Sequence, residues 1–228
     1  MCKPAQTWIN DLQFDTMIDI GANVGTYSKE FRAFRPEAMI YAFEPLPTEY
    51  SMLRANFADD TKFQAYNVAL SDEEGEIPFN VCNFGPASSI LQINDLTTKY
   101  INKAFHLDVE SKQIKIQARK LDKFFEGYSL GKSLFIKSDT QGFEDRVIRG
   151  GKNVFCHANL CVIETMFQPQ YEGQALFTDI LYQMWALGFT YFGDKDYISY
   201  NNSNNTPVWQ DSVFINNRLL KNGIYEAP

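Results

Sequence analysis

The sequence has no closely paired cysteines and little histidine. Its four cysteines are Cys2, Cys82, Cys156 and Cys161, and none of them forms a C-x-x-C pair. The chain contains only two histidines, and no group of histidine and cysteine has the spacing of a zinc site. We therefore predict no bound metal, and we expect Cys156 and Cys161, which flank a hydrophobic segment, to be buried free thiols.

Long apolar runs and blocks of positive charge are also missing. No segment approaches the roughly 20 apolar residues that a membrane-spanning helix needs, and no basic segment followed by an apolar one marks a signal peptide. We therefore expect a cytoplasmic protein without a membrane partner. The formal net charge is −7, which argues against a nucleic-acid partner because such proteins usually present a basic face.

The pattern that is present is an alternation of short apolar runs, typical of buried strands, with segments of helical periodicity. The predicted strands are 17–20, 39–43, 63–70, 77–81, 114–118, 134–136, 160–163, 190–192 and 212–215. The predicted helices span 27–34, 50–57, 143–149 and 175–187. This alternation predicts a single α/β domain over residues 1–228, with a mainly parallel sheet and helices on both faces.

Two segments depart from the alternation. Residues 85–112 include Pro86, Ser88 and Ser89 and a polar, partly helical stretch from Tyr100 to Leu107. We predict that this segment is an insertion or lid that lies over the sheet edge and shapes an acceptor pocket. Residues 193–211 are polar, and we predict a long loop between the last two strands.

The first predicted strand is followed by a glycine loop that spans residues 19–25. Gly21 and Gly25 allow a tight turn and a close approach to a ligand. The dinucleotide fingerprint needs glycine at position 23, where the backbone meets a pyrophosphate, so Asn23 disfavours NAD and favours a cofactor without phosphates. Asp19 offers a carboxylate to a cationic ligand such as S-adenosylmethionine. A plain strand-to-helix turn is the alternative.

Further informative residues follow the other strands, where ligands of parallel sheets bind. Glu44 can accept hydrogen bonds from ribose hydroxyls, and the region of Ala69 can pack on an adenine ring. Asp139 can face the reacting end of the cofactor, where it would bind an ammonium group, an acceptor hydroxyl or a metal. Glu164 lies at the same rim. Each of these residues could also be an ordinary strand-end residue.

The order of these motifs is more specific than any one of them. The sequences that carry it are Ile18 to Gly25, Ala42 to Pro45, Val68 to Asp72, Leu121-Asp122, Ile136-Lys137, Asp139 with Gln141 to Glu144, Glu164 and Tyr171 to Gln174. In this order they resemble the FkbM-type methyltransferase family, over residues 15–215. Ser138 and Thr140 stand where the family is usually aliphatic, which makes the wall near the acceptor more polar.

The resemblance implies a Rossmann-like class I methyltransferase sheet of seven strands with the last strand antiparallel. It also implies methyl transfer from S-adenosylmethionine, which leaves S-adenosylhomocysteine, usually to a hydroxyl oxygen of a sugar or natural product. The cofactor-binding residues that it implies are Asp19, Gly21, Ala22, Asn23 and Gly25 on the methionine and ribose side, Glu44 on the ribose, Ala69 at the adenine and Asp139 at the reacting end.

A sugar hydroxyl is a poor nucleophile, so we expect a general base. Candidates are Asp139, Glu164, His106 and His157. Histidine has the most suitable ordinary pKa for this work at neutral pH, and His106 is preferred over His157 because it lies in the predicted lid. Ser88 and Ser89 are candidates for hydrogen bonds to a polar acceptor.

Alternatives to an O-methyltransferase remain at this stage. One is a nicotinamide-dependent oxidoreductase on the same type of sheet, against which Asn23 argues. Another is a non-catalytic module that binds an adenosyl compound. Within the methyltransferases, a nitrogen acceptor also stays open, because no feature of the sequence separates nitrogen from oxygen acceptors.

Overall fold

A twisted parallel sheet forms the centre of the fold in the computed structural model, which describes residues 9, 12–83, 87–106, 108–200 and 206–221. The strands are β1 (Thr16–Ile20), β2 (Met39–Phe43), β3 (Phe63–Tyr66), β4 (Ala69–Leu70), β5 (Gly75–Cys82), β6 (Ser111–Arg119), β7 (Leu134–Ser138), β8 (Leu160–Met166), β9 (Phe189–Tyr200) and β10 (Pro207–Asn216). Seven of them make the large sheet, in the order β3-β2-β1-β7-β8-β10-β9. The last strand, β10, runs antiparallel to both neighbours, and the other pairs are parallel. The predicted seven-stranded, mostly parallel sheet with an antiparallel last strand is confirmed.

Helices cover both faces of this sheet. They are α1 (Thr26–Phe34), α2 (Pro47–Asn56), α3 (Asp95–Phe105), α4 (Leu121–Phe124), α5 (Glu144–Gly150), α6 (Lys152–His157), α7 (Phe177–Ala186) and α8 (Asn217–Lys221). Met17 and Phe135 pack on the side of α1, whereas Ile18 and Ile136 pack on the side of α5 and α7. Strands buried on both faces need apolar residues on both, which explains their short, almost continuous hydrophobic runs.

Helix α1 is fixed over the sheet by aromatic stacking. The ring of Phe135 on β7 lies 5.4 Å from that of Phe31 and 6.1 Å from that of Tyr27, and both pairs are nearly parallel. Such pairs contribute about 0.5–1.5 kcal/mol beyond the burial of their area. Because α1 follows the glycine loop directly, this packing also positions the loop at the end of β1.

The prediction of one strand over residues 63–70 is wrong. The chain leaves the large sheet after β3, and β4 pairs in parallel with β6 in a second, three-stranded sheet of order β4-β6-β5. The side chain of Asn67 directs the turn between them, since its amide donates to the backbone oxygens of Glu44 (3.0 Å) and Pro45 (2.9 Å). The predicted strands 77–81 and 114–118 are confirmed as β5 and β6, which pair antiparallel.

The insertion predicted at 85–112 contains α3 and joins this second sheet. Asn94 caps α3 by accepting a hydrogen bond from the backbone amide of Thr97 at 2.8 Å. Ser89 pairs with Asn80 in an isolated bridge. Pro86 and Leu107 lie outside the described residues. The role of this segment as a lid stays a prediction.

Two further predictions are wrong. The supposed loop 193–211 is mostly strand, because β9 continues to Tyr200 and β10 begins at Pro207. As an edge strand with one solvent side, β9 needs no continuous apolar pattern, and this hid it in the sequence. Cys156 is exposed, since it lies on the outer side of the short helix α6, whereas Cys161 is a buried free thiol as predicted.

Along the part of the chain that the structure describes, every helix is too short or too polar to span a membrane.

Candidate functional site

The carboxyl ends of the parallel strands border a cleft of about 430 Å³. The structure brings most of the predicted cofactor-binding residues to its wall, namely Asp19, Gly21, Ala22, Asn23, Glu44, Ala69 and Asp139. Gly25 is not part of the wall. Along the sheet edge, the strand order places the Ala69 side first, then Glu44, then the glycine loop and then Asp139.

Gly21 and Gly25 serve the loop in different ways. Gly21 has φ +76°, and a Cβ atom there would lie 1.9 Å from the backbone oxygen of Asp139. Glycine at this position therefore allows the ends of β1 and β7 to approach each other under the cleft. Gly25 has φ +88°, and a Cβ there would meet Phe57 at 2.5 Å. Its role in the structure is to let α1 pack against the end of α2.

Glu44 is held at the end of β2 with its carboxylate against the loop. The backbone amides of Asn23 and Leu46 each donate to one of its oxygens at 2.8 Å. The side chain is buried, and burial raises the pKa of Glu44 to about 7 against the opposing effect of these two hydrogen bonds. A carboxylate accepts about four hydrogen bonds, so two acceptor positions are left for hydroxyl groups of a ligand.

The wall beside Glu44 is apolar. Leu46, Ala69, Phe79 and Ile90 belong to one hydrophobic cluster and all line the cleft. Ala69 on β4 and Phe79 on β5 belong to the second sheet, which therefore supplies two of these four residues. The arrangement suits a flat, weakly polar ring.

The opposite end of the cleft is charged and lies on the α1 side of the sheet. Asp19 on β1 stands next to Lys137 on β7 in register, and it accepts a hydrogen bond of 2.6 Å from the hydroxyl of Ser28. Burial raises the pKa of Asp19 to about 6, although the Ser28 hydrogen bond and the Lys137 charge oppose the shift. Ser28 belongs to α1, so the helix that packs on Phe135 also holds this carboxylate.

Lys137 and Asp211 are site residues that the sequence analysis did not identify. The ammonium of Lys137 lies 2.8 Å from Oδ1 of Asp211 and 3.5 Å from Oδ2 of Asp139, with its side chain only 4% exposed. Burial alone would lower the pKa of Lys137, but the charges of Asp139, Asp211 and Glu164 outweigh it and raise that pKa well above its usual value. A lysine two positions before Asp139 inside an apolar strand was the signal available.

Asp139 and Glu164 are bridged by one side chain. The amide nitrogen of Gln141 donates to Oδ1 of Asp139 at 2.8 Å and to Oε2 of Glu164 at 2.9 Å. Glu164 does not line the cleft itself. Burial, with the nearby charges of Asp139 and Glu144, raises the pKa of Glu164 well above its usual value.

The two histidines lie away from these residues. His106 is exposed at the end of α3, with φ +51°, and is not part of the cleft wall. His157 ends α6, is exposed, and its ring lies 3.1 Å from the backbone oxygen of Gly131. Ser88 does line the cleft. The catalytic role of His106 stays a prediction, and its position gives it no support.

Within the described residues, no group of three or more histidine, cysteine, aspartate or glutamate side chains has the arrangement of a metal site. The prediction that no metal is bound stays a prediction.

The comparison with known families agrees with this geometry. Residues 19–191 match the family described as the methyltransferase FkbM domain. The chain belongs to this family. The resemblance inferred from the motifs is thereby confirmed, and the matched range includes the ends of β1, β2, β7 and β8, whereas Asp211 lies beyond it.

Three curated relatives of the FkbM-domain chain are named as methyltransferases. This chain is 30% identical over 165 residues to 2-O-methyltransferase NoeI of Sinorhizobium fredii, and the alignment covers 69% of this chain and 66% of that protein. It is 28% identical over 158 residues to methyltransferase sdnD of Sordaria araneosa, with 59% of each chain covered. It is 25% identical over 142 residues to methyltransferase 1 of Beauveria bassiana, with 59% and 57% covered. The alignments therefore span less than two thirds of each relative's length.

Proposed function

We propose that this FkbM-domain chain is an S-adenosylmethionine-dependent methyltransferase that methylates a hydroxyl oxygen of a small molecule, a saccharide or another natural product. The observation that carries the proposal is the placement of the Glu44 carboxylate between an apolar wall at Ala69 and a charged wall at Asp19. The name of the relative NoeI specifies an oxygen acceptor, which supports oxygen over nitrogen.

The residues of the cleft fit this cofactor. The apolar wall of Leu46, Ala69 and Phe79 would hold the adenine ring, and the two unused acceptor positions of Glu44 would take the ribose hydroxyls. Asp19 lies at the end of the cleft where the positive groups of the methionine part would lie, so its buried carboxylate would gain a compensating charge. The bound cofactor supplies a methyl carbon activated by its sulfonium.

Asp139 is the residue that we assign to the acceptor. Its side chain lines the cleft and is 37% exposed, and its Oδ2 lies 3.5 Å from the buried ammonium of Lys137. It can accept the proton that leaves the hydroxyl, an effect typically worth about 10²–10⁴-fold. Glu164 lies behind Asp139, and we propose that Glu164 supports Asp139 while in the protonated form that the burial of Glu164 favours.

The insertion completes the acceptor side in this proposal. Ser88 and Ile90 line the cleft, and the hydroxyl of Ser88 accepts a hydrogen bond from the amide of Cys82 at 2.9 Å. Its own proton is then available to an acceptor oxygen. We further propose that the protein acts on small molecules in the cytoplasm as a single domain, and its net charge of −7 is consistent with a partner other than nucleic acid.

Calorimetric titration with S-adenosylmethionine, S-adenosylhomocysteine and NAD tests the cofactor. We expect both adenosyl compounds to bind and NAD not to bind. Glu44→Ala should weaken binding at least tenfold, while Glu37→Ala, which removes an exposed carboxylate on the surface, should leave it unchanged. Binding of NAD would favour the oxidoreductase alternative, and binding of none of the three would overturn the proposal.

Transfer of a labelled methyl group to a panel of sugars and other hydroxyl and amine compounds tests the reaction. We expect transfer to hydroxyl compounds, and we expect Asp139→Asn to lower kcat by about 10²–10⁴-fold with S-adenosylhomocysteine binding retained. Cofactor binding without transfer to any acceptor would favour a non-catalytic adenosyl-binding module. Transfer to amines alone would contradict the oxygen acceptor.

A further inference from the structure

Gln141 makes hydrogen bonds to several residues of the site, and the proposed function gives these hydrogen bonds no role. We propose that Gln141 is a positioning residue that fixes the orientation of the Asp139 carboxylate toward the acceptor and couples that orientation to the segment 87–94 at the cleft wall. This inference rests on the proposed function, because it assumes that Asp139 takes the proton of the acceptor. Gln141 itself lines the cleft.

The side-chain amide of Gln141 has one orientation that satisfies all its neighbours. Its nitrogen donates to Asp139 and to Glu164, as described above. Its oxygen accepts a hydrogen bond of 3.0 Å from the hydroxyl of Tyr171. Tyr171 is buried, and burial raises the pKa of its hydroxyl, so it stays a donor. A flipped amide would set its oxygen against Oδ1 of Asp139, where two acceptors would face each other, and this favours the donor side toward Asp139.

The backbone of Gln141 is held in a conformation that glutamine rarely adopts. Its φ is +55°, in the left-handed region. The hydroxyl of Ser89 donates to the backbone oxygen of Gln141 at 2.8 Å, and Gly142, with φ +91°, continues the turn. A conformation of this kind persists only where the surroundings enforce it, and such residues cluster at functional sites.

The same residue ties the insertion to the carboxylates. Ser89 contacts the backbone of Gln141, and Ile93 pairs in a β-bridge with Tyr171, whose hydroxyl contacts its side chain. Residues 87–94 thus contact Gln141 directly through Ser89 and indirectly through Tyr171. A displacement of this segment would break the hydrogen bond from Ser89 to the backbone of Gln141 and would move Tyr171, which holds the amide oxygen. Acceptor contacts and the position of the base are therefore linked.

Charged groups from several elements surround the two carboxyl groups that Gln141 bridges. Gln141 donates to Oδ1 of Asp139, and the ammonium of Lys137 lies 3.5 Å from Oδ2, so both oxygens of this carboxylate have a partner. Glu164 is buried behind it, and burial raises the pKa of Glu164 above its usual value. The other charged groups that act on this pair come from β1, α5 and β10, and they are Asp19, Glu144 and Asp211.

Two substitutions of Gln141 separate positioning from folding. Gln141→Met keeps the length of the side chain and removes its hydrogen bonds. We expect kcat to fall about 10- to 100-fold, with the dissociation constant of S-adenosylhomocysteine changed less than threefold. Gln141→Glu adds a third carboxyl group beside Asp139 and Glu164. We expect it to move the acid limb of the pH profile of kcat/KM by about one unit toward higher pH, because a further negative charge opposes the loss of protons from the carboxyl groups of the site.

Tyr171→Phe and Gln117→Met complete the set. Tyr171→Phe removes only one hydroxyl and should lower kcat about three- to tenfold in the same direction, which keeps a readout if Gln141→Met does not fold. Gln117 is exposed on β6, and Gln117→Met should leave kcat unchanged.

The outcomes distinguish this inference from the proposed function. If the wild type transfers methyl groups and both Gln141→Met and Tyr171→Phe keep its kcat, only the inference is overturned. An unmoved acid limb in Gln141→Glu overturns it as well, as does a loss of S-adenosylhomocysteine binding equal to the loss in kcat, which would show a merely structural role. Absence of transfer by the wild type to any acceptor overturns the proposed function, and the inference with it.

Discussion

The backbone amide of Asn23 donates a hydrogen bond to the Glu44 carboxylate over 2.8 Å, across 21 positions of sequence. The contact joins the glycine loop after β1 to the end of β2. Because the carboxylate is buried and already accepts from two amides, its ionisation is sensitive to any further donor that enters the cleft. Cofactor binding and proton release should therefore be linked at this residue.

We expect the affinity for S-adenosylhomocysteine to rise as the pH increases from 6 to 8. The pKa of Glu44 is raised to about 7 by burial, and ribose hydroxyls would favour the ionised form, so binding below this pKa must release a proton. Titration calorimetry in buffers of different ionisation enthalpy measures the protons released. Glu44→Gln should bind more weakly and release fewer protons. Equal proton release by the wild type and Glu44→Gln would contradict the linkage.

Substitution of Gly21 tests the close approach of β1 and β7. In Gly21→Ala the new methyl group would overlap the backbone oxygen of Asp139, which cannot move independently of β7. We expect a loss of more than about 2 kcal/mol in the free energy of unfolding, above the roughly 1–2 kcal/mol for the left-handed conformation alone. Gly188→Ala is the matched control, since Gly188 has φ +86° and nothing within 4 Å of the added atom. Urea unfolding of both variants gives the difference, and equal losses would contradict the clash.

The parts of the site that sequence reasoning identified depend on local sequence. Glycines after a buried strand, and an acidic residue at the next strand end, predict a ligand because each needs only its own strand to be assigned. Lys137 and Asp211 were not identified because their role depends on pairing between distant strands. Asp211 lies opposite Glu164 in the antiparallel pair of β10 and β8, and this register could not be known while residues 193–211 were taken as a loop.

The second sheet was missed for a similar reason. The strand β4 is only two residues long, and its partner β6 lies about 50 positions further on. Residues 63–70 look like one strand in the sequence, and only the hydrogen bonds of the Asn67 side chain show where the chain leaves the large sheet. Periodicity describes each segment alone and does not report such a contact.

Buried carboxyl groups should make the ligand-free protein less stable as the pH rises. The pKa of Glu144 is raised from 4.5 to about 7, mainly by burial. Between these values the folded state binds more protons than the unfolded state, so this contribution to stability is present below about pH 4.5 and is lost as the pH rises to 7. At 1.36 kcal/mol per unit the loss is at most about 3 kcal/mol. We expect Glu144→Gln to flatten the pH dependence of the thermal midpoint between pH 5 and 8.

Glu126→Gln is the control for that experiment, because Glu126 is exposed and its substitution should leave the pH dependence of the wild type unchanged. Identical pH profiles for the wild type and Glu144→Gln would contradict the assignment of a buried, protonated Glu144. The hydrogen bonds from the backbone and hydroxyl of Thr140 reach the same oxygen of Glu144, and the glutamine oxygen can accept both of them. The variant therefore removes the titration while leaving this turn connected.

We expect the charge of Lys137 to stabilise the site more than any other charge in it. Its ammonium compensates Asp211 and Asp139, and Lys137→Met would leave these carboxylates without a buried counter-charge. Removing one partner of a buried ion pair typically costs about 3–5 kcal/mol. We expect a loss of this size at pH 8 in urea unfolding and a smaller loss near pH 5. Burial raises the pKa values of Asp19 and Glu164, so near pH 5 these groups can take up protons and lower the negative charge of the site.

Lys115→Met is the control, at a lysine that is 77% exposed, and it should change stability by less than about 1 kcal/mol. A loss in Lys137→Met that does not grow with pH would show that packing of the lysine stem, and not its charge, stabilises the site.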